Sequence, residues 1–322
     1  MDLRTFWLGW RRDIIRFVGL CAAALFVASV INHATARARR ARQDLAGLLP
    51  RGIGDLAGGL GEGAGDVGDD DGDSAAASHV AGETWTYRAR VAPGRWVWVR
   101  DRTGSVTVEP AQGESLEVTA VRTFGHSDPG SVRVVAVPSS DGITICALWG
   151  SRTNVCGPGE KYRQHSVSHN DVHVRFRVRL PRGVAVGVTT VSGTVRVVGA
   201  SAPVVAGTVN GDVDAETTQG PVNGYSVNGS IHAVMRGFAD TGGVKLATVS
   251  GSVTAELPAQ VDATVSANTV NGSIESDFPL VVSHKFVAHH ASGTIGAGGR
   301  RVDLNVVNGS IRLKKAGWHP SH

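Results

Sequence analysis

The sequence predicts an all-β protein whose main part is a β-solenoid, one chain wound coil over coil in single strands, and three observations carry that prediction. A short motif recurs seven times between Thr189 and Leu313: TVSGTVRV, TVNGDVDA, SVNGSIHA, TVSGSVTA, TVNGSIES, HASGTIGA and VVNGSIRL. Its central glycines are Gly193, Gly211, Gly229, Gly251, Gly272, Gly293 and Gly309, between 16 and 22 residues apart. Recurrence at this spacing marks stacked units, each too small to bury its own apolar face. Around each glycine, apolar residues alternate with polar ones at the period of a strand. The composition agrees, with 42 glycines and only 6% aromatic residues, which suits many short strands and turns.

Asn-Gly between apolar residues is also a strong hairpin signal, because a type I′ turn needs positive φ at both central residues. A two-residue hairpin at Asn210-Gly211 sets Val209 beside Asp212 on one face, and four other copies pair valine with serine in the same way, as Val227 with Ser230. If the strand instead continues through the glycine, Val209, Gly211, Val213 and Ala215 share a face, as do Val227, Gly229, Ile231 and Ala233. The second reading sorts apolar from polar. It predicts a bent strand with glycine inside the bend, where a Cβ would crowd the core. Like stacks on like, so Asn210, Asn228, Asn271 and Asn308 are expected to form side-chain ladders. An antiparallel sandwich is the alternative architecture.

Residues 1–43 read as a signal peptide or membrane anchor. Phe17–Ile31 is an apolar run preceded by Arg11, Arg12 and Arg16 and followed by Ala34-Thr35-Ala36, a signal-peptidase type of site. Fifteen residues is short for a spanning helix, which wants about 20. Arg11-Arg12-Asp13-Ile14-Ile15-Arg16 is similar to a twin-arginine export signal, while Arg37, Arg39, Arg40 and Arg42 oppose simple insertion with the N-terminus inside. Both fates imply an extracytoplasmic domain, in contact with the membrane only where the segment stays uncleaved. Residues 44–82 form a flexible Gly/Asp-rich tether. An EF-hand register there puts Val67 and Ser78 where calcium needs carboxylates, so no calcium site is expected.

The chain carries 32 basic and 28 acidic residues, but eight of the basic ones lie in the first 42 positions, leaving the remainder slightly acidic. A nucleic-acid partner, which needs a basic face on the folded domain, is therefore not expected.

Residues 83–315 form the β domain, with capping strands over 83–182 and regular repeats over 183–315. Trp85, Trp96 and Trp98 are expected in the core of the cap, with a sugar-stacking platform as the alternative. Thr103-Gly104-Ser105 looks like a degenerate repeat. Cys146 and Cys156 flank a Gly-containing loop and suit a disulfide, which fits an oxidising compartment; closing that loop is worth roughly 2–3 kcal/mol. In His173, Arg175, Arg177 and Arg179 the polar members of an alternating strand form a basic outer face. It suits contact with an anionic glycan, teichoic acid or lipid headgroup; the plainer readings are a solvated face or a charged edge that blocks aggregation. His165, His169 and His173 are spaced for a helix, but the alternation makes the last of them strand, so no metal site is expected.

No GxSxG, HExxH or P-loop motif occurs. Asp212, Asp214, Glu216, Glu256, Glu275 and Asp277 lie on repeats whose other copies carry Ser, Thr, Ala or Arg at those positions, so a catalytic carboxylate pair is not expected. Neither is a cofactor.

At TVNGDVDA, SVNGSIHA, TVNGSIES and VVNGSIRL, preceded by Leu180-Pro181-Arg182-Gly183-Val184, the chain resembles the bacterial DUF4097 family of candidate adhesins, from about Glu83 to Lys315. ICALWG and NVCGPGE resemble the cysteine pair many members carry. The resemblance implies an exported or membrane-tethered β-solenoid-like domain with no known catalytic residues. Together these readings predict a non-catalytic cell-envelope protein whose faces contact envelope polymers, surfaces or proteins. The alternatives are a self-associating scaffold or envelope-stress sensor, which an exposed final coil at Val306–Leu313 would favour, and a polysaccharide-active enzyme.

Overall fold

The computed structural model describes residues 80–150, 154–157, 169–239, 241–285 and 288–317. All of them fall in one compact unit, Ala75–Lys161 with Val167–His322. The predicted leader and nearly all of the tether lie outside the described residues, as does His165.

The strands in chain order are β1 Val80–Arg90, β2 Trp96–Arg100, β3 Val106–Pro110, β4 Ser115–Phe124, β5 Val132–Ser139, β6 Gly142–Trp149, β7 His173–Leu180, β8 Ala185–Thr189, β9 Val195–Ala200, β10 Val204–Gly207 and β11 Val213–Thr217. They continue with β12 Val222–Asn228, β13 Ile231–Met235, β14 Val244–Ser250, β15 Val253–Leu257, β16 Ala263–Asn271, β17 Ile274–Ser276, β18 Val281–Lys285, β19 Ala288–Ile295, β20 Arg300–Asn308 and β21 Ile311–Lys315. They build two sheets. The first runs β1-β4-β7-β3-β9-β11-β13-β15-β21-β17 and the second β18-β19-β16-β20-β14-β12-β10-β8-β2-β6-β5.

Each coil lays one strand in the second sheet, bends at its glycine, and lays the next strand in the first sheet. Strand β12 pairs in parallel with β10 and β14, whereas β13, just past the bend, pairs with β11 and β15. The chain does not turn back on itself at Asn-Gly. Asn210 bridges Asn228 in parallel across coils, and Val213 lies beside Ile231. Inward side chains of both sheets, such as Val213, Leu246, Val253, Leu304 and Ile311, meet in one apolar core.

The expected inward face is half right. In β12 the buried residues are Val222, Gly224 and Ser226; beyond the bend the fully buried ones are Ile231, Ala233 and Met235, with Val234 buried from the other side. Val227 and Gly229 are only half-buried. The positive φ of the glycine (153° at Gly229) flips one peptide, so the alternation restarts with opposite parity. The residue three before the glycine therefore points inward, and it is polar: Thr190, Thr208, Ser226, Thr248 and Thr269 are all buried. Each hydroxyl is satisfied by a glycine carbonyl of the adjoining coil. Thr208 donates to Gly193 at 3.0 Å, Ser226 to Gly211 at 3.0 Å, Thr248 to Gly229 at 2.8 Å and Thr269 to Gly309 at 2.8 Å.

In β20 the same slot holds Val306, opposite Thr248. Its neighbour on that side is Gly251, whose carbonyl lies next to Gly309. Thr248→Val should cost about 1 kcal/mol by removing the hydroxyl from a buried carbonyl, and Val306→Thr should recover stability of similar size by supplying one. Urea unfolding of the two variants checks both signs.

Coils do not stack in sequence order. The last one, β20 and β21, inserts between β14 and β15 on one side and β16 and β17 on the other. Val306, Ile311 and Leu313 are buried there, so the exposed final coil that would favour self-association is absent. Gly293 is not a bend either. It lies within β19, which runs antiparallel to β16 and β18 and covers the end of the second sheet. Gly104 takes its place as the seventh stacked bend, its N–H donating to the Ser192 carbonyl at 2.9 Å. The asparagine ladder forms as two rungs, Asn228 to Asn210 at 2.8 Å and Asn271 to Asn308 at 2.7 Å, separated by Ser250.

At the other end, antiparallel β1 and β4 extend the first sheet and β5 the second. Trp85 stacks with Tyr87 and packs against the core, as expected of a cap. Trp96 and Trp98 do not. They alternate with the fully buried Val97 and Val99, so they face outward from the second sheet. Cys146 and Cys156 are joined in a disulfide, with Cα atoms 5.9 Å apart.

Candidate functional surface

The basic residues of β7 sit where the alternation placed them: Val174, Phe176, Val178 and Leu180 are buried, and Arg175, Arg177 and Arg179 are exposed. What the sequence missed is the strand's position. β7 is an interior strand, antiparallel to β4 and parallel to β3, so its arginines do not protect an edge. They stand in the middle of a sheet face.

The neighbours on that face decide which charges are compensated. Arg179 lies between Glu117 and Glu109, and its Nη1 is 3.4 Å from Glu117 Oε2. Arg88 of β1 pairs with the same Glu117. Arg177 lies between Thr119 and Thr107, and Arg175 is beside Val121. Among the described residues no carboxylate pairs with either. Two residues along a strand is about 6.6 Å, so Arg175 and Arg177 present two cations at a fixed spacing. The next cation across β3 is Arg196, which among the described residues makes one ion pair, a long one of 3.8 Å to Asp214. His173 at the start of the strand is half-buried, beside Thr123.

Further along this face lie the carboxylates that a glycosidase reading would need. They are engaged with neighbouring coils. His232 bridges two of them, Nδ1 at 3.1 Å from Asp214 and Nε2 at 3.4 Å from Glu256. Glu216 accepts from Arg236 at 2.7 Å and Glu275 from Arg312 at 3.2 Å. Asp212 accepts the Ser230 N–H at 2.7 Å and Asp277 the Lys315 N–H at 3.1 Å. These cross-coil contacts stitch the stack, and each surface pair contributes about 0–1 kcal/mol. Among the described residues no cluster of three His, Cys, Asp or Glu could hold a metal ion, and no helix is long and apolar enough to cross a membrane.

Residues 165–314 match the family model described as Toastrack DUF4097. The match begins before β7 and ends within β21, leaving out β1 to β6, although β2 and β3 continue the same two sheets. No curated protein sequence matches the chain. Among solved structures it is similar to a candidate cell-adhesion protein from Clostridium sporogenes, at 10% identity over 73% of this chain and 100% of that one, with a TM-score of 0.39. It is also similar to a candidate adhesin from Bacteroides fragilis, at 11% identity over 73% of this chain and 97% of that one, with a TM-score of 0.34.

Proposed function

We propose that this chain, which over residues 165–314 belongs to the Toastrack DUF4097 family, is a non-catalytic extracytoplasmic surface protein that holds anionic envelope polymers against its first sheet. The observation that carries the reading is the pair Arg175 and Arg177, exposed on an interior strand, with threonines on both sides of Arg177 and Val121 beside Arg175. A rigid row of cations suits a chain of phosphates or carboxylates, because the strand holds the charges apart without further ordering cost. The disulfide between Cys146 and Cys156 supports an oxidising compartment. The apolar segment Phe17–Ile31 would deliver the domain there, cleaved or retained as an anchor.

Binding of teichoic acid chains, measured by calorimetry at low and high salt, tests the proposal. Arg175→Gln with Arg177→Gln should weaken binding about 30-fold, at about 1 kcal/mol for each cation. The salt dependence should become shallower, and melting should be unchanged because both side chains are exposed. Equal affinity for the wild type and the double variant would remove the basis for this reading.

A further inference from the structure

The outer face of the second sheet carries an aromatic arrangement that the fold does not require. Trp96 and Trp98 of β2 are stacked, with ring centroids 5.1 Å apart and planes 15° apart. Trp98 leans onto β8. A Cβ built on Gly187 would lie 2.0 Å from Trp98 Cε3, 2.1 Å from Cζ3 and 2.7 Å from Cδ2, so the indole lies flat over that glycine. Tyr225 of β12 does the same from the opposite side. A Cβ on Gly207 of β10 would lie 1.9 Å from Cζ, 2.1 Å from Cε2 and 2.4 Å from Cε1. β8 and β10 are neighbours, about 4.8 Å apart, so two flat rings converge from β2 and β12 onto adjacent strands.

Glycine inside a strand weakens it and marks a close approach by something else. Here two adjacent strands each carry one, and each lies under a ring. Polar groups frame the rings in the same register rows. One row runs Trp98, Gly187, Val205, Asn223 and Lys245; the next runs Arg100, Thr189, Gly207, Tyr225 and Ala247. The Arg100 guanidinium lies 5.3 Å from the centre of the Trp98 ring.

We propose that the outer face of the second sheet, built on Trp96, Trp98 and Tyr225, is a stacking platform for hexopyranose rings of a neutral polysaccharide. A pyranose has an apolar C–H face and a rim of hydroxyls. The flat rings take the face, and Thr189 and Asn223, whose Oδ1 accepts the Lys245 N–H at 2.9 Å, lie in the register rows that border them and face the rim. This site is on the opposite sheet from Arg175 and Arg177 and needs no charge on its ligand.

The test titrates the full chain with cellohexaose and with the hexamer of N-acetylglucosamine, following tryptophan fluorescence and calorimetry. The wild type should bind at least one of them with a fluorescence change. Trp96→Ala should weaken that binding about fivefold or more, the size of one aromatic stacking contact. It leaves the Trp98 ring on Gly187 in place, so its melting temperature should stay within a few degrees of wild type. Arg175→Gln with Arg177→Gln should bind the oligosaccharides normally, which separates this site from the polyanion surface. Absence of binding at millimolar oligosaccharide, or equal binding by Trp96→Ala, overturns the proposal. So does a fluorescence response confined to phosphatidylglycerol vesicles, which would assign the rings to a lipid surface.

Discussion

Gly229→Ala should destabilise the protein by about 4 kcal/mol, more than an ordinary substitution outside the core. The reason differs from the one periodicity suggests. Gly229 does not face the core; its Cβ would point along the stack, 1.9 Å from the carbonyl oxygen of Gly211 and 2.5 Å from its carbonyl carbon. Backbone cannot move aside as a flexible side chain can. The residue also sits at φ 153°, where a side chain adds strain of about 1–3 kcal/mol before any contact is counted. The geometry is shared down the column, each glycine facing the carbonyl of the next: Gly211 on Gly193, Gly251 on Gly229, Gly309 on Gly251 and Gly272 on Gly309. The N–H groups of Gly211, Gly229, Gly251 and Gly309 meanwhile donate to the next coil, as Gly229 does to the Ser250 carbonyl at 2.8 Å. Gly113, whose added Cβ would meet nothing within 4 Å, is the control, and Gly113→Ala should leave stability within about 0.5 kcal/mol. Thermal and urea unfolding of the two variants decides the matter. A Gly229→Ala protein that melts like Gly113→Ala would refute the stacked column.

The second large effect is a dependence of stability on pH that belongs to Asp101. This residue precedes Gly104 by three, the slot that holds a buried hydroxyl in five other coils. It is 2% exposed; Oδ1 accepts the Arg102 N–H at 2.8 Å, and Oδ2 is buried without a hydrogen-bond partner among the described residues. Burial pushes its acid up from an ordinary 3.8 to about 8, against the opposing pull of the Arg102 and Thr103 N–H groups. At neutral pH it therefore keeps its proton and resembles the threonines of the column. Because the folded state holds that proton more tightly than the unfolded chain, its contribution to stability is complete below about pH 4. It is lost as pH rises from about 4 to about 8, at about 1.4 kcal/mol for each pH unit. Asp101→Asn should flatten this slope, leaving a variant more stable than wild type at pH 9 and nearly equal to it at pH 4. The quantity to measure is the difference between the two proteins, in which contributions from every other group cancel. Parallel curves from pH 4 to 9 would show that Asp101 titrates normally.

Both results turn on features the sequence shows only in part. The recurrence of Gly with Val or Ile two residues later was enough to reject the hairpin, because hairpin pairing mixes Val209 with Asp212 on one face. The same recurrence exposed the asparagine rungs, and simple polar/apolar alternation exposed the outer face of β7. It could not show that the alternation changes parity at the bend. That change depends on a backbone dihedral, and a valine beside the glycine reads as core although the inward position belongs to Thr208, Ser226, Thr248 and Thr269. Once the parity is known, the Thr/Ser three residues before most of the glycines is a signal in plain view. Gly293 misled for a related reason. HASGTIGA has the motif's composition, but Leu280 and Pro279 pack where a neighbouring bend would lie.

The sequence by itself determined that this chain stacks short β units around shared valines, places glycine at each bend, and turns alternate residues of β7 to solvent. These are local properties, fixed by steric demands within a few residues. Only the tertiary structure decided that β20 and β21 slip between earlier coils, that β7 lies inside its sheet, and that Trp96 and Trp98 turn outward over Gly187 instead of into the core. Those outcomes depend on which strand lies beside which, and near-identical repeats present nearly equivalent edges to one another, so their order cannot be read from any one of them.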